Sequence, residues 1–508
     1  LNPSDGGGSV SLAVASGDTV ELGYEAAGAY TKIGTYAADT SQTYPDSADL
    51  VVVRKMPGGA GISSVTVNDG AGPAGSPGGS TTPAAVVKWG VIGDSRMVDQ
   101  GQLTYPINGV PLARSFSSKN WVNWVSKMRG GFRVVANGAH GGWRSDQYLV
   151  NLPVVLAAAP DVLVFGPPCL NDLSQSYPTA ATSVAVALAN VEAAIAQAER
   201  SVPAIVVCTE PGSTDLSTAY VARTTQFNTG LYEIAARHPR VRIFDLRSIV
   251  HATTSGPSGI LFKSGYLYDN AHYAAPGARA IAQSFVGQHP DLCGPAGRTH
   301  RLADSPLERQ TIDPSIPVDN PLFLATTGGT SSGAGSVSGP IPRSWEIVAP
   351  AGASVVSSLA ARSDGCGNDL VLTITAAAAC VVRAHCALVP NGFARWAKPG
   401  ASYRGACDLN VDSSAAMLPP ALRMYVWSSA GSYSAWDMAS GTLGMPAGAY
   451  GYPLVCEGFI PQNVDANDQA DIDFDVQMQF SGPGSAVVRF GRVIVHKIDS
   501  VPGYVVGA

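Results

Sequence analysis

The sequence contains few charged residues. Asp, Glu, Lys and Arg make up 14% of its 508 residues, whereas an average soluble protein has about 25%. The 32 basic and 38 acidic residues leave a formal net charge of -6, and no run of Lys or Arg occurs. Because nucleic-acid binding depends on clustered basic residues that neutralise phosphates, we expect no nucleic-acid partner.

Several motifs of metal and nucleotide enzymes are also missing. The eight cysteines include no C-x-x-C pair, so neither a zinc knuckle nor a thioredoxin-type site is expected. The chain has no H-E-x-x-H, no P-loop and no G-x-G-x-x-G that opens a helix, which are signatures of zinc proteases and nucleotide-binding enzymes. We therefore expect no metal ion and no cofactor.

No hydrophobic run is long enough to cross a membrane. The most apolar stretch, residues 152–170, is interrupted by four prolines and an aspartate, whereas a membrane-spanning helix needs about 20 consecutive apolar residues. The chain begins Leu-Asn-Pro-Ser, without a methionine or an apolar leader. We expect either a leader that has been removed or a fragment of a longer protein.

Glycine and proline, in contrast, are abundant. The 56 Gly and 36 Pro residues favour turn-rich, largely β structure, and the length favours about three domains. Changes in composition along the chain predict a small β-rich module at 1–56, a Gly/Pro/Ser linker at 57–84, an α/β domain at 85–295, a second linker at 296–320 and an all-β domain at 321–508.

Residues 85–295 alternate between short apolar runs and longer stretches of helical periodicity. The runs of strand length are residues 86–92, 132–136, 162–165, 204–208 and 241–244. This alternation, with short connections, predicts a three-layer, flavodoxin-like fold in which helices cover both faces of a parallel sheet. Ligands of such sheets bind beyond the carboxyl ends of the strands.

Residues 321–508 lack helical periodicity. Between Asp471 and Phe480 every second residue is apolar, which is the pattern of a half-buried antiparallel strand. Together with other strand-like runs, it predicts a jelly-roll-like β-sandwich. Because the region also carries several Trp and Tyr residues that could stack on sugars, we expect it to fold on its own and to bind glycan.

A serine follows the first predicted strand of the α/β domain. The strand is followed by Gly93-Asp94-Ser95, which places Ser95 where a parallel sheet presents ligand-contacting groups. A nucleophilic serine needs a neutral histidine as base and a carboxylate that orients it, and Asp269 and His272 near the end of the same domain could supply both. On these residues alone, Ser95 could equally be a helix-capping serine and His272 a surface histidine paired with Asp269.

Four segments follow one another along the α/β domain: Gly93–Ser95, residues 137–142 (NGAHGG), Asn171–Asp172 and Asp269–His272. In this order they resemble the four sequence blocks of the SGNH, or GDSL-type, hydrolases. The resemblance covers residues 86–290 or so. Each of the first three segments follows a predicted strand, as in that family.

The resemblance implies a role for each of five residues. Ser95 is implied as the nucleophile, His272 as the base and Asp269 as the carboxylate that orients the base. An oxyanion hole is implied from the backbone N–H of Ser95, from Gly142 and from the side chain of Asn171. Three neutral donors of this kind can stabilise the tetrahedral oxyanion of acyl transfer.

Some positions leave alternatives open. Arg96 stands where leucine is common in the family, which puts a cation near the site. The third block of the family usually has a glycine two residues before its asparagine, whereas Cys169 stands there in this chain. The sequence therefore does not fix the path of the loop before Asn171. Gly141 competes with Gly142 for the second block, although the spacing from residue 137 favours Gly142. Arg96 and His140 are candidates for substrate contacts, with an ordinary loop histidine as the alternative for His140.

The implied activity is that of a carboxylic ester hydrolase. Linked modules, few charges and an aromatic-bearing β domain resemble, more weakly, phage tail fibres and tailspikes that deacetylate surface polysaccharides. We therefore expect a serine esterase that removes O-acyl groups, chiefly O-acetyl, from a polysaccharide outside the cell or at a virion surface. A homo-oligomer is compatible with this, a trimer if the protein is a virion fibre. The alternatives are a secreted lipase or esterase of non-carbohydrate esters and a glycan-binding adhesive protein with a decayed hydrolase domain.

Overall fold

The structure, a computed structural model, divides into two compact units, Leu1–Pro83 and Ala84–Ala508. In the first unit it describes residues 8–14, 20–26, 29–36, 40–44, 50–55 and 62–69. In the second it describes residues 86–98, 100–104, 113–129, 132–174, 182–214, 218–253, 260–294, 320–386, 402–428, 431–439, 445, 449–459, 470–498 and 505–506.

The first unit contains two three-stranded antiparallel sheets. Its strands are β1 (Gly8–Val14), β2 (Val20–Ala26), β3 (Ala29–Tyr36), β4 (Thr40–Tyr44), β5 (Leu50–Lys55) and β6 (Ile62–Asp69). One sheet has the order β4-β1-β6 and the other β3-β2-β5. Strand β6 corrects the predicted 57–84 linker, because it pairs antiparallel with β1, with Val65 opposite Leu12 and Val67 opposite Val10. The rest of that linker lies outside the described residues.

The second unit begins with alternating strands and helices. They are β7 (Val87–Ile92), α1 (Ser95–Val98), β8 (Gln100–Thr104), β9 (Ala113–Ser117), α2 (Trp121–Arg129), β10 (Phe132–Asn137), α3 (Ser145–Ala157), β11 (Val162–Phe165), α4 (Leu170–Leu173), α5 (Val184–Ala198), β12 (Ala204–Cys208), α6 (Thr218–Arg237), β13 (Val241–Phe244), α7 (Leu246–Val250) and α8 (Ala275–Gln288). No helix within the described residues is both long enough and apolar enough to span a membrane.

Strands β13, β12, β11, β7 and β10 form a parallel sheet in this order. All four residues of β11 are buried, as expected where both faces of a parallel sheet are covered. Val162 and Val164 pack into the core that includes α2 and α8, whereas Leu163 and Phe165 pack into the core that includes α3, α5 and α6. The predicted three-layer α/β fold is confirmed.

The rest of the chain is all β. Its strands are β14 (Thr330–Ser332), β15 (Ser336–Ser338), β16 (Trp345–Val348), β17 (Ala353–Ala361), β18 (Asn368–Ala376), β19 (Cys380–Cys386), β20 (Ser402–Met417), β21 (Ala421–Ser428), β22 (Gly431–Ala439), β23 (Tyr450–Phe459), β24 (Ala470–Ile498) and β25 (Val505–Val506). Strand β24 pairs antiparallel with four others, β18, β19, β20 and β21.

The predicted alternation in β24 is present, since Phe474, Val476, Met478 and Phe480 are buried. Asp475, which falls on the predicted polar face, is also buried and forms an ion pair with Arg423. None of the eight cysteines, all of which lie within the described residues, forms a disulfide bond.

The α/β part and the β part are joined because each contributes one strand to a sheet of the other. Strand β9, from the α/β part, pairs with β22 and β23. Strand β25, at the end of the chain, pairs with β10 at the edge of the parallel sheet. Residues 84–508 therefore form one compact unit, in contrast to the separately folding C-terminal domain that we expected.

Helix α2 lies at this junction, which we call the seam: α2 and β9 on one side, β22 and β23 on the other. The Trp124 ring packs edge-on against Tyr452 with 5.3 Å between ring centroids. Lys127 forms an ion pair with the fully buried Asp437. The core of the α/β part thus continues into the β part.

Candidate active site

Ser95 lies directly beyond the carboxyl end of the central strand β7, as the first residue of α1. Because β7 lies between β10 and β11, the loops after these two strands flank the serine. Three backbone hydrogen bonds of 2.8 to 3.1 Å hold them there: Gly138 N–H to Val91 O, His140 N–H to Gly93 O and Gly166 N–H to Ile92 O.

The structure brings Ser95, His272 and Asp269 into one hydrogen-bonded row. Ser95 Oγ is 2.7 Å from His272 Nε2, and His272 Nδ1 is 2.8 Å from Asp269 Oδ2. With the imidazole proton on Nδ1, the carboxylate holds the ring while Nε2 accepts the serine proton. This arrangement can activate the hydroxyl as a nucleophile.

The turn that carries His272 is shaped by Asp269. Its Oδ1 accepts the backbone N–H groups of Ala271 at 2.8 Å and of His272 at 2.7 Å. Partial burial opposes ionisation, but these two hydrogen bonds and the imidazole hold the pKa of Asp269 below its usual value. The carboxylate therefore stays ionised when it is needed to orient the histidine.

A hydrogen bond joins the loops that carry two of the implied oxyanion donors, Asn171 and Gly142. Asn171, on α4, donates through Nδ2 to the carbonyl of Trp143 at 2.8 Å, which joins the third block to the second. An amide nitrogen carries two hydrogens, so Asn171 can make this bond and still donate to a substrate oxygen.

Gly142, next to Trp143, has φ +79°, a conformation that favours glycine. Gly141 has no such requirement, and a Cβ there would meet nothing within 4 Å. Of the two candidate glycines, only Gly142 has a backbone conformation that favours glycine.

Arg96 corrects an expectation. Its guanidinium is fully buried and bonded to Asp94 and Glu210, so it has no surface to offer a substrate. Nor does it leave an excess of positive charge beside Ser95, because two carboxylates surround the single cation.

His140 is exposed at the second block, and its ring stacks on Trp143 with 4.8 Å between centroids. It lines an open cavity of about 410 Å³ together with six neighbours: Gly141, Gly142, Trp143, Arg144, Asp146 and Gln147. The Tyr268 ring stacks on His272 with 5.7 Å between ring centroids, and the Lys119 ammonium lies 4.0 Å from the centre of the Tyr268 ring.

Two residues near the site were missed from the sequence. Glu210 was not considered, although a buried arginine beside the nucleophile requires an acidic partner and Glu210 follows β12 of the same sheet. Trp143, which accepts from Asn171, directly follows the second block. Among the described residues, no three His, Cys, Asp or Glu side chains are grouped as a metal site would require.

The sequence matches the GDSL-like lipase/acylhydrolase family over residues 91–280. No curated protein matches the sequence.

Similar solved structures include a lipolytic protein of the G-D-S-L family from Desulfitobacterium hafniense, with 14% identity over 39% of this chain and 97% of that one, at a TM-score of 0.29. They also include a lipase/acylhydrolase from Enterococcus faecalis, which is 20% identical over 42% of this chain and 99% of that one, with a TM-score of 0.29. A variant of an acetyl xylan esterase from Geobacillus stearothermophilus is 15% identical over 42% of this chain and 99% of that one, with a TM-score of 0.32. Residues 91–280 therefore carry a domain of the GDSL-like lipase/acylhydrolase family, whose members are carboxylic ester hydrolases.

Proposed function

We propose that this protein is a serine esterase that removes O-acyl groups, chiefly acetyl, from a polysaccharide through an acyl-enzyme. The contact of Ser95 Oγ with His272 Nε2 at 2.7 Å, continued to Asp269 at 2.8 Å, is the observation that carries the proposal. In this proposal the protein acts outside the cell or at a virion surface, where such polysaccharides occur.

In the first half-reaction, His272 takes the proton of Ser95 as its Oγ bonds to the ester carbonyl carbon. Asp269 stabilises the imidazolium that results. The carbonyl oxygen becomes an oxyanion, which accepts hydrogen bonds from the backbone N–H groups of Ser95 and Gly142 and from the Asn171 amide. When the carbon–oxygen bond to the sugar breaks, the sugar oxygen takes the proton from His272 and leaves.

In the second half-reaction, water replaces the sugar. His272 takes a proton from the water as its oxygen attacks the acyl carbon. The bond to Ser95 Oγ then breaks, the serine regains its proton from His272, and the carboxylic acid departs.

The surroundings of the site support a sugar ester with a short acyl chain. The side chains of His272 and Asp269 are 29% and 43% exposed, so a large substrate can reach them. The neighbouring cavity is lined by aromatic and polar groups such as Trp143, Arg144 and Gln147, which suit hydroxyl-rich sugars better than a long acyl chain.

The test compares the wild type with Ser95→Ala on p-nitrophenyl acetate, p-nitrophenyl octanoate and an acetylated polysaccharide. We expect acetate release from the polymer, faster hydrolysis of the acetyl than of the octanoyl ester, and a loss of about 10⁴-fold or more in Ser95→Ala. Ser248→Ala, an exposed serine on α7, is the matched control and should behave as the wild type.

Three results would contradict parts of the proposal. Substantial turnover by Ser95→Ala would remove this serine as nucleophile. Preference for the octanoyl ester would favour a lipase, and a wild type without esterase activity that still bound the polymer would favour the adhesive alternative.

A further inference from the structure

The guanidinium of Arg96 is held from several sides in the interior. Nη1 and Nη2 donate to the two carboxylate oxygens of Glu210 at 2.7 and 2.8 Å. Nε and Nη2 donate to the two oxygens of Asp94 at 3.0 and 2.5 Å. Asp94 and Arg96 are the two neighbours of Ser95 in the chain, so these hydrogen bonds fix the turn on both sides of the serine.

The cluster also reaches the loop that carries Asn171. Nη2 of Arg96 donates to the carbonyl of Pro167 at 3.1 Å, and Glu210 accepts the backbone N–H of Cys169 at 3.3 Å. Both residues lie in the connection between β11 and α4. The turn of the nucleophile and the loop of the candidate oxyanion donor are therefore tied to one ion pair.

The same carboxylate extends the connection toward His272. Glu210 accepts the backbone N–H of Gly212 at 2.8 Å. The next two residues hold the carbonyl of Asn270, through Ser213 Oγ at 2.8 Å and Thr214 N–H at 3.0 Å. Asn270 is the residue after Asp269, within the turn that carries the base.

We propose that Arg96 and Glu210 are positioning residues that set the distance between the Ser95 turn and the 269–272 turn. This rests on the proposed function. Neither side chain can touch substrate, because both are fully buried. Their effect reaches the reaction only through alignment of Ser95 with His272, and a displacement of about 1 Å between reacting groups can cost about 10²-fold in rate.

Arg96 is suited to this task because its guanidinium keeps its charge in the working range. Burial opposes the charge on Arg96, but Asp94 and Glu210 hold its pKa above the usual value. The planar fork of arginine also matches a carboxylate through two parallel bonds, which a lysine cannot do.

The experiment uses Arg96→Met, Arg96→Lys and Glu210→Gln in the full chain, with Lys127→Met as the control. Lys127 also forms a buried ion pair but lies at the seam. We measure kcat and KM on p-nitrophenyl acetate, the rate at which a p-nitrophenyl phosphonate labels Ser95, and the Tm. Activities are compared at a temperature well below the lowest Tm.

Arg96→Met should lower kcat and the labelling rate by about 10²-fold with KM nearly unchanged. Arg96→Lys and Glu210→Gln keep part of the contacts and should each lose about tenfold. Lys127→Met should lower the Tm and leave kcat and the labelling rate as in the wild type. If Arg96→Met does not fold, the two milder variants give the same comparison.

The inference is overturned if folded Arg96 and Glu210 variants keep kcat within twofold of the wild type, or if Lys127→Met loses as much kcat as they do. In either case the wild type still hydrolyses esters and Ser95→Ala does not. Failure of the proposed function is different, because then the wild type lacks esterase activity or Ser95→Ala retains it.

Discussion

Two buried ion pairs lie in different regions of the second unit, and they are built differently. At the carboxyl edge of the parallel sheet, one guanidinium is shared by two carboxylates and a carbonyl within the α/β part. At the seam, Lys127 meets a single carboxylate, that of Asp437, across more than 300 residues of sequence. Asp437 Oδ2 also accepts the Val455 N–H, whereas its Oδ1 has no hydrogen-bond partner among the described residues.

The two clusters differ in how far the partner groups offset the cost of burying a charge. Burial raises the pKa of Asp437, and Lys127 offsets this only in part. At the edge, by contrast, burial alone would lower the pKa of Arg96, but its two carboxylate partners raise that pKa above the usual value. A cluster held from several sides can fix geometry, whereas a single pair across an interface serves mainly to hold two parts together. Changes at the edge should therefore alter activity, and changes at the seam should alter stability.

The largest effect is expected from removing one side of the seam altogether. A fragment of residues 84–295 lacks β22 and β23 and uncovers Trp124 and Lys127, so we expect no cooperative thermal unfolding and no esterase activity. A fragment of residues 84–508 keeps the whole compact unit and is the control. Circular dichroism and p-nitrophenyl acetate hydrolysis measure both. An active, cooperatively folding 84–295 fragment would show that the β part is dispensable.

Lys127→Met should have the next largest effect, on stability alone. It leaves Asp437 buried without its cation, which typically costs about 3–5 kcal/mol. Adding Asp437→Asn removes the stranded charge and should restore part of the loss. Urea unfolding measures the free energy of unfolding, and a loss below about 1 kcal/mol in the single variant would mean that the seam does not depend on this pair.

Asn171→Ala, at the carboxyl edge of the sheet, should lower activity and leave stability nearly unchanged. Loss of one oxyanion donor typically costs about 10²–10³-fold in kcat, while the partly exposed side chain contributes little to folding. Thermal unfolding and kcat are measured on the same preparation. Wild-type rates from this variant would remove Asn171 from the oxyanion hole.

The smallest effect concerns the pH dependence of stability at Asp172. Burial raises its pKa from 3.8 to about 6, although hydrogen bonds from Ser145 oppose the shift. Because the folded pKa lies above the unfolded one, this group's contribution to stability is complete below about pH 4 and is lost as the pH rises through 6.

Asp172→Asn carries no ionisable proton and should lack this dependence. The difference in free energy of unfolding between variant and wild type should shift in favour of the variant by up to about 3 kcal/mol between pH 4 and pH 7. Urea unfolding across this range measures the shift. Parallel pH profiles of the two proteins would mean that Asp172 does not titrate in this window.

The α/β fold was predictable because its signals are local. The five predicted strands match β7, β10, β11, β12 and β13 to within a residue at each end. Each is a short apolar run between helical stretches, and burial on both faces makes such runs distinct. The contact among Ser95, Asp269 and His272 was expected from the resemblance of the four segments to the SGNH hydrolases, whereas sheet geometry alone placed only Ser95 at a strand end.

The seam was not predictable, because strand pairing over more than 300 residues leaves no local pattern. One signal was present in α2, where four of the five residues 121–125 (WVNWV) are apolar, and the structure buries all five. A helix that is covered all round needs partners on more than one side. Strand β6 was missed for another reason, since the surrounding glycines outweighed its short alternation.

The seam also has a consequence for how the protein is made. Strand β9 follows the candidate nucleophile within about 20 residues, yet its partners β22 and β23 leave the ribosome only after residue 459. Chains fold as they are synthesised, N-terminal parts first, and pairings between distant segments are slow. The esterase site should therefore be completed late, so that a prematurely terminated chain yields no partly active enzyme and hydrolysis begins only once nearly the full length has been translated.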